Sequence, residues 1–309
     1  MSAGTNPPVV RFAVEHRTSY RYSQPMADGY TVAYLLPRDT PQQRVVTAEV
    51  AVDPAPDERE ELADHFGNRV LRMGIHAAHD HLEVTARSLV DVMAPPPVPA
   101  TSVPWDDRGG AHPAGGRDAI AVDPFLAHTA TTPALPLLAE LTAPVFVAGR
   151  PLVDVVRALS SLIHREFQFD NEFTDVSTPL DVVVAERRGV CQDFAHLAIA
   201  CLRSRGVAAR YVSGYLETAP APGQPKLTGS DASHAWCSAW VPGTGWLDLD
   251  PTNDQVPPQR HITVAWGRDY FDVTPVRGVV VGPVATQTLH VGVDVRAVVG
   301  TSTGVSETR

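Results

Sequence analysis

The chain has 309 residues, enough for two modest domains, and its 44% hydrophobic and 19% charged residues are typical of a globular protein and exclude a disordered one. A net charge of −10 disfavours nucleic acid and anionic membranes as partners, and no apolar run approaches the roughly 20 residues that span a bilayer. Residues 1–8 lack the pattern of a signal peptide and three cysteines form no disulfide framework, so we expect a cytoplasmic location.

Changes in composition along the chain divide it into four parts. Residues 1–93 contain short alternating runs split by Pro, Gly and Asp, which predict an antiparallel β domain. Residues 94–117 are dense in Pro and Gly, as in a semi-rigid linker. Residues 118–299 begin with helical patterns and continue with strands after Ala208, and we assign them to one further domain. Residues 300–309 are expected to be a frayed tail.

The most informative stretch is GVCQDFAH, residues 189–196, where a loop turns into an apolar helix. Apolar residues continue to Leu202, and Gly206 is a stop signal, so a buried central helix is predicted with Cys191 in its first turn. The unpaired N–H groups and positive dipole end at that position favour a thiolate over a thiol. A nucleophile and a buried structural cysteine are both compatible with this segment alone.

A predicted hairpin further along the chain offers partners for such a thiolate. Residues 231–241 alternate as one strand, residues 242–245 form a turn, and residues 246–253 form a second strand leaving into a loop. The hairpin could place the His234 imidazole beside a carboxylate, which would fix its tautomer. His234 and Asp250 share a face only with an odd-length loop or a bulge, which Gly243 and Gly245 could supply.

These segments resemble the bacterial transglutaminase-like cysteine peptidases, which are related to papain-like enzymes. The resemblance rests on GVCQDFAH (189–196), RYVSGYL (210–216), SHAW (233–236) and GWLDLDPTN (245–253). Further similar segments are Tyr20–Tyr22, Leu36–Arg38, Phe66–Asn68, the predicted strand near Leu82–Val92, Val264–Tyr270 and Asp272–Val273, so most of the chain is covered.

The resemblance implies both a fold and a set of site residues. The fold is of the α+β class, with a papain-like transglutaminase-core domain, a central helix packed on an antiparallel sheet, preceded by an N-terminal β-sandwich-like domain. Cys191 would be the nucleophile, His234 the general base, and Asp250, before Pro251 and Thr252, the orienting acid. Asp248 has the same strand parity as Asp250, so only the Asp-Pro-Thr pattern of the family separates the two.

Other candidate residues have simpler interpretations. His196 is five positions after Cys191, about 140° around a helix, and is expected to be structural. Cys201 and Cys237 are expected to be unreactive residues that pack in the core. The histidines at positions 76, 79 and 81 suggest a metal site, but they have no accompanying cysteine or HExxH pattern, and we predict neither a metal nor a cofactor. The tryptophans at 236, 240 and 246 could line a groove, although aromatic residues in strands are more often core.

The expected chemistry is acyl transfer on peptide or protein amides through a thioester. The backbone N–H of Cys191 is a natural oxyanion donor, whereas the second donor cannot be named, although Gln192 is adjacent. Hydrolysis is favoured over transfer to a lysine amine, because water is always present and no calcium-binding loop is evident. A non-catalytic peptide-binding module is the alternative from another class. The sequence leaves the substrate and the oligomeric state open.

Overall fold

The computed structural model describes residues 9–107, 116–217, 233–256, 258 and 260–298. The predicted tail at residues 300–309 and part of the predicted linker at 94–117 lie outside these ranges. The helices are α1 (Gly116–Val122), α2 (Leu137–Leu141), α3 (Leu152–Glu166), α4 (Leu180–Glu186) and α5 (Cys191–Arg203). The strands are β1 (Val9–Met26), β2 (Asp28–Ala33), β3 (Gln43–Asp53), β4 (Glu58–Ala63), β5 (Arg69–Ile75), β6 (His79–Met93), β7 (Gln168–Phe169), β8 (Arg188–Gly189), β9 (Ala209–Leu216), β10 (Ser233–Val241), β11 (Gly245–Leu249), β12 (His261–Gly267), β13 (Val276–Val281) and β14 (Gln287–Val298).

The N-terminal region contains two antiparallel four-stranded sheets. One has the strand order β14-β1-β6-β3 and the other the order β13-β2-β5-β4. Apolar residues of both sheets pack in one cluster, with Leu71 and Met73 from β5 beside Leu82 and Val84 from β6. Alternating side chains bury one face of β1, β2 and β6, as period-2 patterning requires. The predicted N-terminal β-rich region is therefore confirmed.

The last two strands differ from the sequence-based division of the chain. Residues 276–298 fall within the further domain predicted at residues 118–299, but β14 pairs with β1 over twelve residues and β13 pairs with β2. These strands therefore complete the two N-terminal sheets rather than the sheet that follows α5. Local patterning predicts a strand but does not identify its partner, and here the partners lie more than 200 residues away in sequence.

The second region is built around α5 and a four-stranded antiparallel sheet of order β11-β10-β9-β12. Helix α5 packs against this sheet, and its residues from Phe194 to Leu202 are nearly all buried. The small side chains of Ala235, Cys237 and Ala239 on β10 belong to the same apolar cluster as the helix. Small residues at these positions let the helix approach the sheet closely. The predicted α+β class, with a central helix on an antiparallel sheet, is confirmed.

Side chains of the N-terminal region hold strand β12 of this sheet. Gln43 donates a hydrogen bond to the Thr263 carbonyl and accepts one from the Thr263 N–H, at 2.7 and 2.8 Å. Asn68 makes the same pair of bonds with the backbone of Trp266, at 2.8 and 2.9 Å. The Arg38 guanidinium lies 3.3 Å above the Trp266 ring centroid. The two regions are therefore joined by specific polar contacts.

The segment after the N-terminal region is tethered rather than free where it is described. The Trp105 N–H donates to the Arg150 carbonyl, and the Leu152 N–H donates to the Val103 carbonyl. Both contacts fix the segment beside the start of α3. No helix among the described residues is long and apolar enough to cross a membrane.

Candidate active site

The first turn of α5 presents the side chain of Cys191. Cys191 is the first residue of the helix, so its N–H has no partner within the helix. The turn is held by Asp193, whose Oδ2 accepts hydrogen bonds from the Val190 N–H at 2.9 Å and from Thr174 Oγ1 at 2.7 Å. A Cβ on Gly189 would lie 2.8 Å from the same oxygen, so a side chain there would displace Asp193. Cys191 itself is partly exposed.

The hairpin of β10 and β11 satisfies the parity condition for His234 and Asp250. Cys237 pairs with Leu249 and Val241 pairs with Gly245, which leaves an odd loop of residues 242–244. Gly243 and Gly245 have φ of 78° and 91°, in the left-handed region that favours glycine. The two side chains therefore share a face of the sheet, as the sequence required.

The three predicted site residues lie together at one end of this sheet. His234 Nε2 donates a hydrogen bond to Asp250 Oδ2 at 2.8 Å. The Cys191 side chain also interacts electrostatically with this imidazole and, like Asp250, favours its charged form and so a raised pKa. The His234 side chain is only 10% exposed. The arrangement is that of a thiol, a base and an orienting carboxylate.

The carboxylate of Asp250 is fully buried and accepts hydrogen bonds at both oxygens. Oδ1 accepts from the backbone N–H groups of Thr252 and Asn253, at 2.9 and 3.2 Å. Oδ2 accepts from Asn253 Nδ2 at 2.7 Å in addition to His234. The turn after Asp250 therefore holds the carboxylate in place, and this turn begins with the Asp-Pro-Thr sequence.

His261 is a site residue that sequence reasoning missed. It begins β12, is buried, and its Nε2 donates to the same Asp250 Oδ2 at 2.8 Å. Its ring meets Trp236 edge-on at 4.9 Å between centroids. The only sequence signal was a histidine at the start of a strand, and its approach to Asp250 depends on the order of strands in the sheet.

Asp248 and Asp250, which the pattern alone did not separate, have different partners. Asp248 accepts hydrogen bonds from Trp236 Nε1 at 3.1 Å and from Ser238 Oγ. The geometry therefore favours Asp250 as the carboxylate that acts on His234.

The hydrogen bonds shift the acid–base properties of the site. Burial opposes the charge of the His234 imidazole, but its bond to Asp250 and its interaction with Cys191 outweigh burial and raise the pKa of His234 to about 10. Burial would raise the pKa of Asp250, yet the bonds from His234 and His261 hold it far below its usual range. The imidazolium–carboxylate pair is therefore the favoured state of this buried site near neutral pH.

The remaining cysteines and His196 are buried away from this group. Burial raises the pKa of Cys201 to about 12 and that of Cys237 well above its usual value, so both thiols stay protonated. His196 Nε2 accepts a hydrogen bond from the Tyr270 N–H at 3.1 Å, and burial lowers its pKa to about 4. These side chains are built into the packing around α5.

Two groups of side chains bring together atoms of the kind that bind metal ions. In the first, His76 bonds to Asp28, His79 to a backbone carbonyl and His81 to Asp80, so the three rings point to separate partners. In the second, one ligand-type atom from each of His234, Asp250 and His261 lies within 4.8 Å of the others. Hydrogen bonds to Asp250 Oδ2 already account for that spacing.

Comparison with protein families agrees with this architecture. A model described as the bacterial transglutaminase-like N-terminal region matches residues 12–91. A model described as the transglutaminase-like superfamily matches residues 140–251, which include the site above. The chain belongs to the transglutaminase-like superfamily. Its N-terminal strands and its central helix are thus both family features.

One relative of this transglutaminase-like protein and one solved structure align with nearly its whole length, and a second relative aligns with a shorter segment. An uncharacterised protein of Mycobacterium tuberculosis is 43% identical over 293 residues, 92% of each chain. A protein-glutamine gamma-glutamyltransferase of Pseudomonas aeruginosa is 40% identical over 82 residues, 26% of this chain and 12% of that enzyme. A candidate cysteine protease from Cytophaga hutchinsonii shares the fold, with a TM-score of 0.73, 21% identity and coverage of 96% of this chain and 93% of the other.

Proposed function

We propose that this transglutaminase-like protein catalyses acyl transfer from peptide or protein amides through a thioester on Cys191. The observation that carries the proposal is the hydrogen bond from His234 to the buried Asp250, together with the electrostatic interaction of this imidazole with the Cys191 side chain, which raises the His234 pKa. In this assignment Cys191 is the nucleophile, His234 the general acid and base, and Asp250 the group that orients the imidazole. No cofactor or metal is required by this chemistry.

In the first half-reaction, the Cys191 thiolate attacks the carbonyl carbon of an amide. The new C–S bond forms a tetrahedral oxyanion, to which the Cys191 N–H at the start of α5 can donate; one such donor contributes about 2.7–4 kcal/mol to the transition state. The C–N bond then breaks, and the His234 imidazolium gives its Nδ1 proton to the leaving amine. The products are a thioester and a free amine.

In the second half-reaction, neutral His234 takes a proton from an acceptor that attacks the thioester. Water as acceptor yields a carboxylic acid and restores the Cys191–His234 pair, so the net reaction is hydrolysis. A primary amine as acceptor yields a new amide, which is transamidation. We propose hydrolysis as the main outcome because water is always present, with transamidation as the second candidate, favoured by the local similarity to the Pseudomonas enzyme.

Product analysis with a peptide library, with and without a primary amine, tests the reaction. Under the proposal, the purified protein releases new carboxyl groups from the library, and Cys191→Ala and His234→Ala each abolish release while thermal unfolding stays near that of the native protein. Amine incorporation that exceeds hydrolysis would instead assign the protein as a transamidase. Turnover by the Cys191→Ala variant equal to the native rate would contradict the mechanism.

Alkylation of the thiols separates an enzyme from a binding module of the same fold. Cys191 should react rapidly with iodoacetamide at pH 6, and His234→Ala should slow that reaction to the rate of a free thiol. The matched controls are Cys201→Ala and Cys237→Ala, which should leave labelling and turnover unchanged because both thiols are buried. Native Cys191 reacting no faster than a free thiol would favour a non-catalytic module.

We also propose a location in which thiols stay reduced, as in the cytoplasm. A cysteine nucleophile must be free, and the three cysteines are unpaired in the structure. Partners are then peptide or protein substrates and not nucleic acid or membranes, in keeping with the net charge of −10.

A further inference from the structure

A cavity of about 810 Å³ lies between the N-terminal region and the face of the β11-β10-β9-β12 sheet that is turned away from α5. Its size falls within the range of small-molecule sites in proteins. Neither Cys191 nor His234 lines it, and it meets the candidate active site only at His261. Four tryptophans form much of its wall: Trp236, Trp240, Trp246 and Trp266.

Arg210 on β9 is an unusual member of this wall. Its guanidinium carbon lies 3.8 Å from the Trp266 ring centroid and 4.4 Å from that of Trp246, so aromatic rings cover its faces. The residue is only 8% exposed, and its buried Nε has no hydrogen-bond partner among the described residues. Burial lowers the pKa of Arg210 to about 9, against the opposing charge of Asp248. Its Nε therefore lacks the acceptor that a buried polar group normally finds.

Among the described residues that line the cavity, Arg210 is the cationic group left available. Asp248, the carboxylate of the lining, accepts from Trp236 Nε1 and Ser238 Oγ instead. Arg260 also reaches the cavity, but it forms an ion pair with Glu217 and is about half exposed. With its faces covered by rings, the Arg210 guanidinium can bind an anion only along its edge, in the plane of its N–H groups.

We propose that this cavity binds a small organic carboxylate with an aromatic or apolar body, and that Arg210 is the anchor of the carboxylate. A carboxylate is planar and pairs with the edge of a guanidinium through two parallel hydrogen bonds. The tryptophan walls and the prolines at 95, 96 and 97 supply apolar surface for the rest of such a ligand. Binding at this site does not depend on acyl transfer at Cys191.

Matched pairs of aryl carboxylates and their amides test the proposal on the full chain. Benzoate with benzamide, and 3-phenylpropionate with 3-phenylpropionamide, are titrated against the protein by calorimetry and by tryptophan fluorescence. At least one carboxylate should bind saturably and about ten-fold or more tightly than its amide, because only the carboxylate pairs with the charged guanidinium. Absence of saturable binding, or equal binding of acid and amide in both pairs, would overturn the proposal.

Two arginine variants locate the anchor. Arg210→Met keeps an apolar stem between the tryptophans and should bring the acid and the amide to equal affinity, with the folded state checked by circular dichroism. Arg260→Met is the control and should retain the native preference, because that guanidinium is paired with Glu217. Native preference in Arg210→Met would refute the assignment.

If Arg210→Met does not fold, Arg210→Lys takes its place. This variant should weaken acid binding several-fold, since lysine keeps the charge without the planar pair of donors. Unchanged affinity for the acid would refute the assignment equally.

Discussion

Asp250 is a buried charge whose hydrogen bonds determine how the site responds to pH. Its carboxylate is fully buried, and its pKa is held far below the usual range by the bonds that outweigh burial. A folded-state pKa below the unfolded value of about 3.9 gives stability that is present above that pH. That stability is lost as the pH falls toward the folded-state value. The contribution of Asp250 to stability should therefore start to decline at about pH 5, where the carboxylate of the unfolded chain begins to take up a proton.

Asp250→Asn should change both the rate and the alkaline limb of the pH profile. The bond to Asp250 is the main cause that raises the pKa of His234 to about 10, so the native protein should lose kcat/KM only as the pH rises through that region. In the variant the limb should move to lower pH, and the plateau should fall by about 10²- to 10⁴-fold, the usual contribution of acid–base catalysis. A profile of kcat/KM against pH measures both effects; an unmoved limb would remove Asp250 from this role.

His261 should act as a positioning residue through Asp250. Its bond is among the causes that lower the pKa of Asp250, so His261→Leu should move the acid limb of kcat/KM to higher pH. His261→Gln keeps a donor of similar reach and should restore much of the native profile. If leucine and glutamine variants lose activity equally without a shift of the limb, His261 contributes packing against Trp236 and no more.

The start of α5 depends on the absence of a side chain at Gly189. Gly189→Ala would place a methyl group 2.8 Å from Asp193 Oδ2, the atom that accepts from the Val190 N–H. We expect a loss of about 1–3 kcal/mol in the free energy of unfolding, as for overpacked sites, together with reduced turnover because the turn carries Cys191. Urea unfolding and peptide turnover measure the two effects.

Gly29→Ala is the matched control for this prediction. A methyl group there would meet its neighbours at 3.5 Å or more, an ordinary contact distance, and φ is not positive. Turnover should therefore be native, with a smaller change in stability. Equal loss of turnover in both variants would mean that the effect at Gly189 is not local to the helix start.

For helices and strands, the sequence predicted those features that depend only on the residues of a single segment. The apolar run after Cys191 indicated the helix, and the glycines at 243 and 245 indicated a turn that puts His234 and Asp250 on one face; the structure has both features. The pairing of β13 and β14 with the first two strands was not predicted, because the exposed valines of β13 do not indicate which strand lies beside them. His261 was missed for the same reason, since only the order of strands brings it to Asp250.

In the molecule as a whole, the strands that follow the candidate active site in sequence pair with the first strands of the chain. Strands β13 and β14 depend on β2 and β1, so removing residues 1–93 would leave them without partners. The N-terminal region also holds β12, the strand that begins at His261 and lines the cavity. Point substitutions at the contact between the regions are therefore more informative than truncation.

Gln43 is the most informative of these contacts, because it is 3% exposed and bonds the Arg38 carbonyl and both backbone groups of Thr263. Gln43→Ala leaves buried backbone groups without partners and should cost about 1–3 kcal/mol of unfolding free energy. Because β13 and β14 tie the two regions together as well, fluorescence and circular dichroism should still report one cooperative transition in urea. Gln42→Ala, at the neighbouring half-buried position, should be near native. Two separate transitions in the native protein would show instead that the N-terminal region unfolds independently of the sheet that carries His234.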